Sequence, residues 1–205
     1  MRRVIVSITA IAFTGALAAM QARAHSDHPS HASHTAHTAP ASLQRSVADY
    51  KPANVKLVRA DGVRVDFPAA LDDGRPVMLN FVYTTCTAIC PALTQVFAEV
   101  QKQLGADAAR LQMVSLSIDP EQDTPKRLAE YAKSYSAGPN WRFYTGTVEA
   151  SVAVQKSLAA YRGDKMNHTP LTLLRAAPGQ PWVRLDGFAT PDQLLREVRA
   201  MLDPR

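Results

Sequence analysis

The stretch VMLNFVYTTCTAICPALTQVFAEVQKQLG, residues 77–105, decides the fold. Its first part, Val77 to Tyr83, is a near-continuous apolar run, which is expected of a strand buried on both faces. From Pro91 to Leu104 the apolar residues recur at helical spacing, and a glycine follows where such a helix would end. The stretch therefore predicts a buried strand that leads directly into a helix, with a pair of cysteines at the junction.

The alternation of strands and helices continues along the chain. Further strands are predicted at residues 63–67, 111–118, 141–144, 171–174 and 183–185. Helices are predicted to begin after the capping residues Thr124, Thr147 and Thr190 and to end near residues 135, 158 and 202. This order predicts an α/β fold: a thioredoxin-like mixed sheet flanked by helices, in a domain spanning residues 46–205.

The N-terminal segment, residues 1–24, has the features of a secretory signal. Arg2 and Arg3 precede an uncharged apolar stretch, and Ala22 and Ala24 supply the small residues of a cleavage site. An uncleaved membrane anchor is the alternative, because the apolar stretch approaches the minimum length that spans a bilayer. Either interpretation predicts export, to a bacterial periplasm, and contact with a membrane only through this segment.

Residues 25–45 are predicted to be a disordered tail and linker, because their composition cannot form a core. Five of the six histidines of the protein recur at every third position of this tail: His25, His28, His31, His34 and His37. Clustered imidazoles bind borderline metal ions, so we expect an accessory metal-binding tail. The alternative is a solubilising tail whose histidines have no specific role.

Composition excludes one class of partner. The formal net charge is +5, but three of the basic residues lie in the predicted signal, and the remainder of the chain is nearly balanced. No cluster of basic residues with interleaved aromatic residues occurs, so the sequence does not predict nucleic-acid binding. We expect a monomer.

The only two cysteines, Cys86 and Cys90, predict either a redox pair or a metal site. Cys90 stands at the predicted helix start, where the helix dipole favours a thiolate. Thiolates select Cu(I), with Zn(II) as an alternative, and a third ligand is needed for a trigonal site. His168 is the only histidine of the predicted domain, and it precedes a strand in a loop that packs against the cysteine motif in thioredoxin-like folds.

Two neighbours of His168 also attract attention. Pro170 is a candidate for the cis proline that this loop usually carries. Met166 is either an additional soft ligand or a packing residue.

Three segments resemble the Sco/SenC family of copper chaperones. They are Tyr83–Pro91, similar to the family pattern YTxCxxxCP; Leu116–Pro125, similar to SxDPxxDTP; and Asn167–Thr169, at the position of DH[ST]. The resemblance implies that Cys86, Cys90 and His168 bind copper. It also implies that the protein helps to build the binuclear copper A centre of cytochrome c oxidase, which lies in subunit II.

The sequence departs from the family pattern in three places. Residues 87–89 lack the aspartate that is usual between the cysteines, and Asn167 replaces the aspartate before the histidine. The stretch between Leu158 and His168 is also shorter than usual. The missing carboxylates should alter the charge of the site and its handling of Cu(II), which is the second oxidation state expected here beside Cu(I). The shorter stretch implies that a loop facing the partner is absent, which leaves the identity of the client protein open.

Two other functions remain open at this stage. A periplasmic thiol-disulfide oxidoreductase would use Cys86 and Cys90 as a catalytic redox pair on the cysteines of a copper-accepting partner. A periplasmic metal buffer would act mainly through the tail. For Asp119 and Asp123 the sequence predicts structural roles near the next helix start, and Asp119 is also a candidate to support the metal ligands.

Overall fold

A computed structural model describes residues 43–203. The predicted signal and the histidines of the predicted tail lie outside the described residues. The eight strands in this part are β1 (Gln44–Ala48), β2 (Lys56–Arg59), β3 (Arg64–Asp66), β4 (Val77–Val82), β5 (Gln112–Ser117), β6 (Trp141–Thr145), β7 (Leu171–Arg175) and β8 (Trp182–Asp186). The α-helices here are α1 (Phe67–Leu71), α2 (Ile89–Leu104), α3 (Pro125–Ser134), α4 (Val148–Ser157) and α5 (Pro191–Leu202).

The strands form one mixed sheet in the order β1-β8-β7-β4-β5-β6-β2-β3. The central strands β4, β5 and β6 are parallel, whereas β7 runs antiparallel to β4, and β8 runs antiparallel to β7. Every residue of β4 and β5 is buried, which explains why both strands have apolar runs rather than alternation. The predicted thioredoxin-like α/β sheet is confirmed.

Helices cover both faces of this sheet. Along β4, Met78 belongs to an apolar core that includes residues of α2, α3 and α5, such as Phe97 and Val198. The neighbouring residue Leu79 belongs to a second core, which includes residues of α1 and α4 such as Val154. Because successive strand residues point to opposite faces, one short strand holds the two layers of helices together.

The predicted helix caps are confirmed. Thr124, Thr147 and Thr190 each accept a hydrogen bond from the backbone N–H three positions ahead, at the start of α3, α4 and α5. The predicted strand over residues 63–67 is shorter than expected, because Phe67 begins α1, with Pro68 in its first turn. Strands β1 and β2 and helix α1 were not predicted, and β1 begins at Gln44, just before the expected start of the domain.

One end of the sheet collects the residues of interest. The carboxyl end of β4 leads into the cysteine loop, and the register of β4 with β7 places the start of β7, after the histidine loop, at the same end. Leu171 of β7 pairs with Asp186 of β8, which in turn pairs with Gln44 of β1. The first residue of β1 therefore also lies at this end. Within residues 43–203, no helix has the length and apolar content that crossing a bilayer requires.

Candidate metal centre

Cys86 and Cys90 occupy different environments on either side of the start of α2. Helix α2 begins at Ile89, so Cys90 lies in its first turn and Cys86 lies in the preceding loop. The backbone N–H of Cys90 donates a hydrogen bond to Cys86 Sγ over 3.3 Å. One of the N–H groups that have no partner within the helix thus points at the sulfur of Cys86.

The two thiols consequently differ in acidity. Burial raises the pKa of Cys86, but hydrogen bonds from the backbone amides of Cys90 and Ala88 outweigh it, and the pKa lies below the usual value. Cys90 is completely buried beside Val82 and Tyr83, and this burial raises the pKa of its thiol far above the ordinary range. The helix start was predicted to favour a thiolate at Cys90, but burial has the largest effect there and raises the pKa, while the N–H of Cys90 donates to the sulfur of Cys86.

His168 presents a nitrogen that lacks a partner. The residue follows a 3₁₀ turn, Lys165–Asn167, and only 8% of its surface is exposed. Burial lowers the pKa of the His168 imidazole to about 4, although a hydrogen bond with the backbone of Phe81 opposes this shift. Within the described part of the chain, the buried Nε2 has no hydrogen-bond partner. At neutral pH the ring is therefore neutral, with one nitrogen free to act as a ligand.

A cavity of about 140 Å³ joins the cysteine loop to the histidine loop. Its lining residues are Tyr83, Cys86, Thr87, Ala88, Ile89, Met166 and His168. Cys86 and His168 thus face the same space, whereas Cys90 lies behind it in the protein interior. Across residues 43–203, no three His, Cys, Asp or Glu side chains are already arranged to hold a metal ion. The donors fit a soft metal ion, and Cys90 is the one proposed ligand that does not line the cavity.

Asp123 holds the cysteine loop in place, a role that the sequence did not reveal. Its buried carboxylate accepts hydrogen bonds from the Thr84 backbone N–H at 3.1 Å and the Thr84 hydroxyl at 2.6 Å. It also accepts a hydrogen bond from the Ser117 hydroxyl at 2.6 Å. The sequence signal that could have revealed this role is the SxDPxxDTP segment, in which Asp123 is the second aspartate.

The loop before β7 has its own carboxylate contact. Lys165 Nζ lies 2.6 Å from Asp119 Oδ2, and the aspartate is only 5% exposed. Pro170 enters β7 without a cis bond, since the described residues contain none, and the expectation of a cis proline was wrong. The Pro170 carbonyl instead accepts a hydrogen bond from the Gly187 N–H over 2.9 Å, at the end of the strand pair β7–β8.

Comparison with known proteins assigns the chain to a family. The model of the SCO1/SenC family matches residues 48–203. The chain belongs to the SCO1/SenC family.

Curated relatives share part of this SCO1/SenC domain. The SCO1 protein homolog of Bacillus subtilis is 35% identical over 80 residues, which cover 38% of this chain and 42% of that protein. The mitochondrial SCO2 homolog of Bos taurus is 31% identical over 90 residues, which cover 43% of this chain and 33% of that protein. The matched segments therefore span less than half of the length of either relative.

Solved structures of Sco proteins share the fold over most of the domain. Arabidopsis thaliana ScoI with copper bound is 25% identical, with a TM-score of 0.62, and the match covers 74% of this chain and 97% of that one. BsSco, a member of the Sco family of cytochrome c oxidase assembly proteins in which a disulfide switch was identified, is also 25% identical. Its TM-score is 0.65, and the match covers 78% of this chain and 98% of that one.

Proposed function

We propose that this SCO1/SenC protein is a copper(I) chaperone whose ligands are Cys86, Cys90 and His168. The observation that carries the proposal is the buried Nε2 of His168, which has no partner among the described residues and belongs to a side chain that lines the same cavity as Cys86. A buried polar atom without a partner is costly, and a metal ion that binds it would remove this cost. Thiolate and neutral imidazole together suit Cu(I).

The relatives support copper as the cargo. Arabidopsis thaliana ScoI has been crystallised with copper bound, and BsSco belongs to a family of cytochrome c oxidase assembly proteins. By this likeness, the chain delivers copper to a partner protein in cytochrome c oxidase assembly. The specific client that we propose is subunit II, at its binuclear copper A centre. The compartment is the periplasm, which the protein reaches by means of its N-terminal segment.

Uptake and release follow from the different environments of the ligands. Cys86 supplies the more acidic thiol of the pair, since its pKa is lowered by the amides of Cys90 and Ala88. His168 needs no deprotonation at neutral pH, because burial lowers its pKa to about 4. Cys90 is buried, and burial raises the pKa of its thiol, so it is the last of the three ligands to give up a proton. A client can therefore remove copper by displacing these ligands one at a time.

The histidines at positions 25, 28, 31, 34 and 37 form a proposed accessory copper site. The first residue of β1 lies at the sheet end that carries the cysteine and histidine loops. Because these histidines precede β1 in the same chain, any copper that they capture stays covalently tethered to the domain. Tethering raises the effective concentration of copper at the main site without requiring a new contact there.

The test is an anaerobic titration of the reduced protein with Cu(I) against a competing chelator. A variant that lacks residues 25–37 isolates the main site, and in that background Cys86→Ser, Cys90→Ser and His168→Ala are compared. We expect one tight equivalent that each substitution weakens. Binding that is indifferent to His168 would contradict the three-ligand site. Restoring residues 25–37 should allow the protein to bind further equivalents of Cu(I) more weakly. If no further Cu(I) binds, the proposed accessory site is wrong, and the main site is not affected.

A thiol-disulfide oxidoreductase is the second candidate, and the asymmetry of the cysteines favours it. The Cys86 thiolate would attack a disulfide of the partner, and one partner sulfur would leave as a thiolate. Cys90 would then lose its proton, attack Cys86 Sγ and release the second partner thiol, so that Cys86 and Cys90 become the disulfide. His168→Ala separates the two functions, because it should weaken Cu(I) binding and leave this thiol exchange intact.

A further inference from the structure

Met166 is unusually exposed for an apolar side chain. Its fractional exposure is 74%, the largest among the exposed large apolar residues of the described chain. It lies in the 3₁₀ turn Lys165–Asn167, two positions before His168, and its backbone N–H donates to the carboxylate of Asp164 over 2.8 Å. A role in core packing is therefore excluded, and the turn keeps the side chain at the surface.

The sulfur of Met166 is nevertheless directed toward the metal site. The hydroxyl of Tyr83 donates a hydrogen bond to Met166 Sδ over 3.8 Å. Tyr83 lines the same cavity as Cys86, so the hydrogen bond holds the thioether beside the cysteine loop. Met166 also lines the cavity of about 140 Å³, together with Cys86 and His168.

The candidate ligands that line the cavity are consequently not the three that the family resemblance implies. Three potential ligand atoms belong to side chains that line the cavity: Cys86 Sγ, Met166 Sδ and His168 Nε2. Cys90 is completely buried and does not line it. A thioether is a soft, uncharged ligand that selects Cu(I) and has no proton to lose. Met166 is therefore placed to bind an ion that enters the cavity, which Cys90 does not line.

We propose that Met166 is the entry ligand for Cu(I), which first binds Cys86, Met166 and His168. Cys90 then releases its proton to solvent and replaces the thioether of Met166, and the same exchange in reverse opens the site for delivery. No electrons are transferred in either direction. This inference rests on the proposed copper-binding function and adds to it the order in which the ligands bind.

The entry complex is isolated by preventing the second step. In full-length Cys90→Ser protein, Cu(I) should remain bound by the three cavity ligands. Adding Met166→Leu should weaken Cu(I) binding about tenfold, which corresponds to about 1.4 kcal/mol. X-ray absorption should also show the loss of one sulfur neighbour of copper. Met201→Leu in the same Cys90→Ser background is the matched control, because Met201 lies on α5 and packs against the core.

The comparison is between Cys90→Ser protein with and without Met166→Leu. If the two proteins have the same Cu(I) affinity and the same number of sulfur neighbours around copper, the proposal that Met166 is the entry ligand is wrong. In protein that retains Cys90, Met166→Leu should slow Cu(I) loading in a stopped-flow experiment while the equilibrium affinity stays nearly constant. An unchanged loading rate would also contradict the proposal. If Cys86→Ser leaves Cu(I) binding intact, the proposed copper site itself fails, so the two failures are distinguishable.

Discussion

The two loops that form the candidate site are held in different ways. The cysteine loop after β4 is fastened from inside the protein, where the buried Asp123 carboxylate binds both the backbone and the hydroxyl of Thr84. The histidine loop before β7 is fastened near the surface, by the contact of Lys165 with Asp119 and of Met166 with Tyr83. Asp123 is completely buried, whereas the Lys165 side chain is 36% exposed and Met166 is 74% exposed, and contacts of exposed side chains contribute less. The histidine loop is therefore the more readily displaced of the two.

This difference suits a protein that must both bind and release an ion. A fixed cysteine loop keeps the amide of Cys90 in contact with the sulfur of Cys86, so the hydrogen bond that favours the thiolate is formed before the metal arrives. A less firmly held histidine loop allows His168 and Met166 to approach or leave without disturbing the sheet. The predictions below test each of these attachments in turn.

The largest effect is expected when the Asp123 carboxylate, which holds the cysteine loop, is removed. Asp123→Ala would leave the donors of Thr84 and Ser117 buried without a partner. We expect the free energy of unfolding to fall by about 4 kcal/mol, measured by urea denaturation. Asp107→Ala is the matched control, because the ion pair of Asp107 with Arg110 is exposed and should contribute less than about 0.5 kcal/mol. A loss below about 1 kcal/mol for Asp123→Ala would contradict the role of Asp123.

That role also shows where sequence analysis reached its limit. The strand–helix unit around Cys86 and the threonine caps were predictable, because apolar spacing and capping are local signals. The SxDPxxDTP segment marks Asp123, but the function of Asp123 depends on Thr84 and Ser117, and no spacing in the sequence identifies these two partners. The asymmetry of the cysteines was likewise hidden, since it depends on burial as well as on the helix start.

The missed elements have a similar explanation. Strand β1 is almost entirely exposed, so it lacks the alternation of apolar and polar residues that marks a half-buried strand. Helix α1 has five residues, which is too short for helical periodicity to appear. The sheet's edges were therefore less predictable than its centre, where burial makes the apolar pattern continuous.

The second prediction concerns the buried imidazole of the histidine loop. Burial lowers the pKa of His168 to about 4 in the folded protein, whereas an unfolded chain has a value near 6.5. Between these two values the unfolded state binds more protons, so the stability of the metal-free protein falls as the pH decreases from about 7 to about 4. Over this whole pH range, the shifted pKa of His168 lowers the free energy of unfolding by about 3 kcal/mol.

His168→Gln should remove this contribution. The free energy of unfolding is measured as a function of pH for both proteins, and the two slopes are compared. The other titrating groups are common to both proteins, so they cancel in this comparison. A smaller slope between pH 6.5 and 4.5 in the variant is the expected result. Parallel curves would show that His168 keeps an ordinary pKa and is accessible to water.

The smallest effect on stability is expected when the Lys165 contacts, which hold the histidine loop, are removed. Lys165→Met removes the ion pair with Asp119 and the contact of the ammonium group with the Tyr83 ring at 5.8 Å. The lysine side chain is 36% exposed, so we expect the free energy of unfolding to fall by only about 1 kcal/mol. Amide hydrogen exchange should nevertheless accelerate selectively at residues 164–168. Lys102→Met, which removes a more exposed lysine paired with Glu99, is the control. Exchange that accelerates equally in the cysteine loop, or in neither loop, would show that the two loops are not held independently. The distinction between a fixed cysteine loop and a displaceable histidine loop would then be wrong.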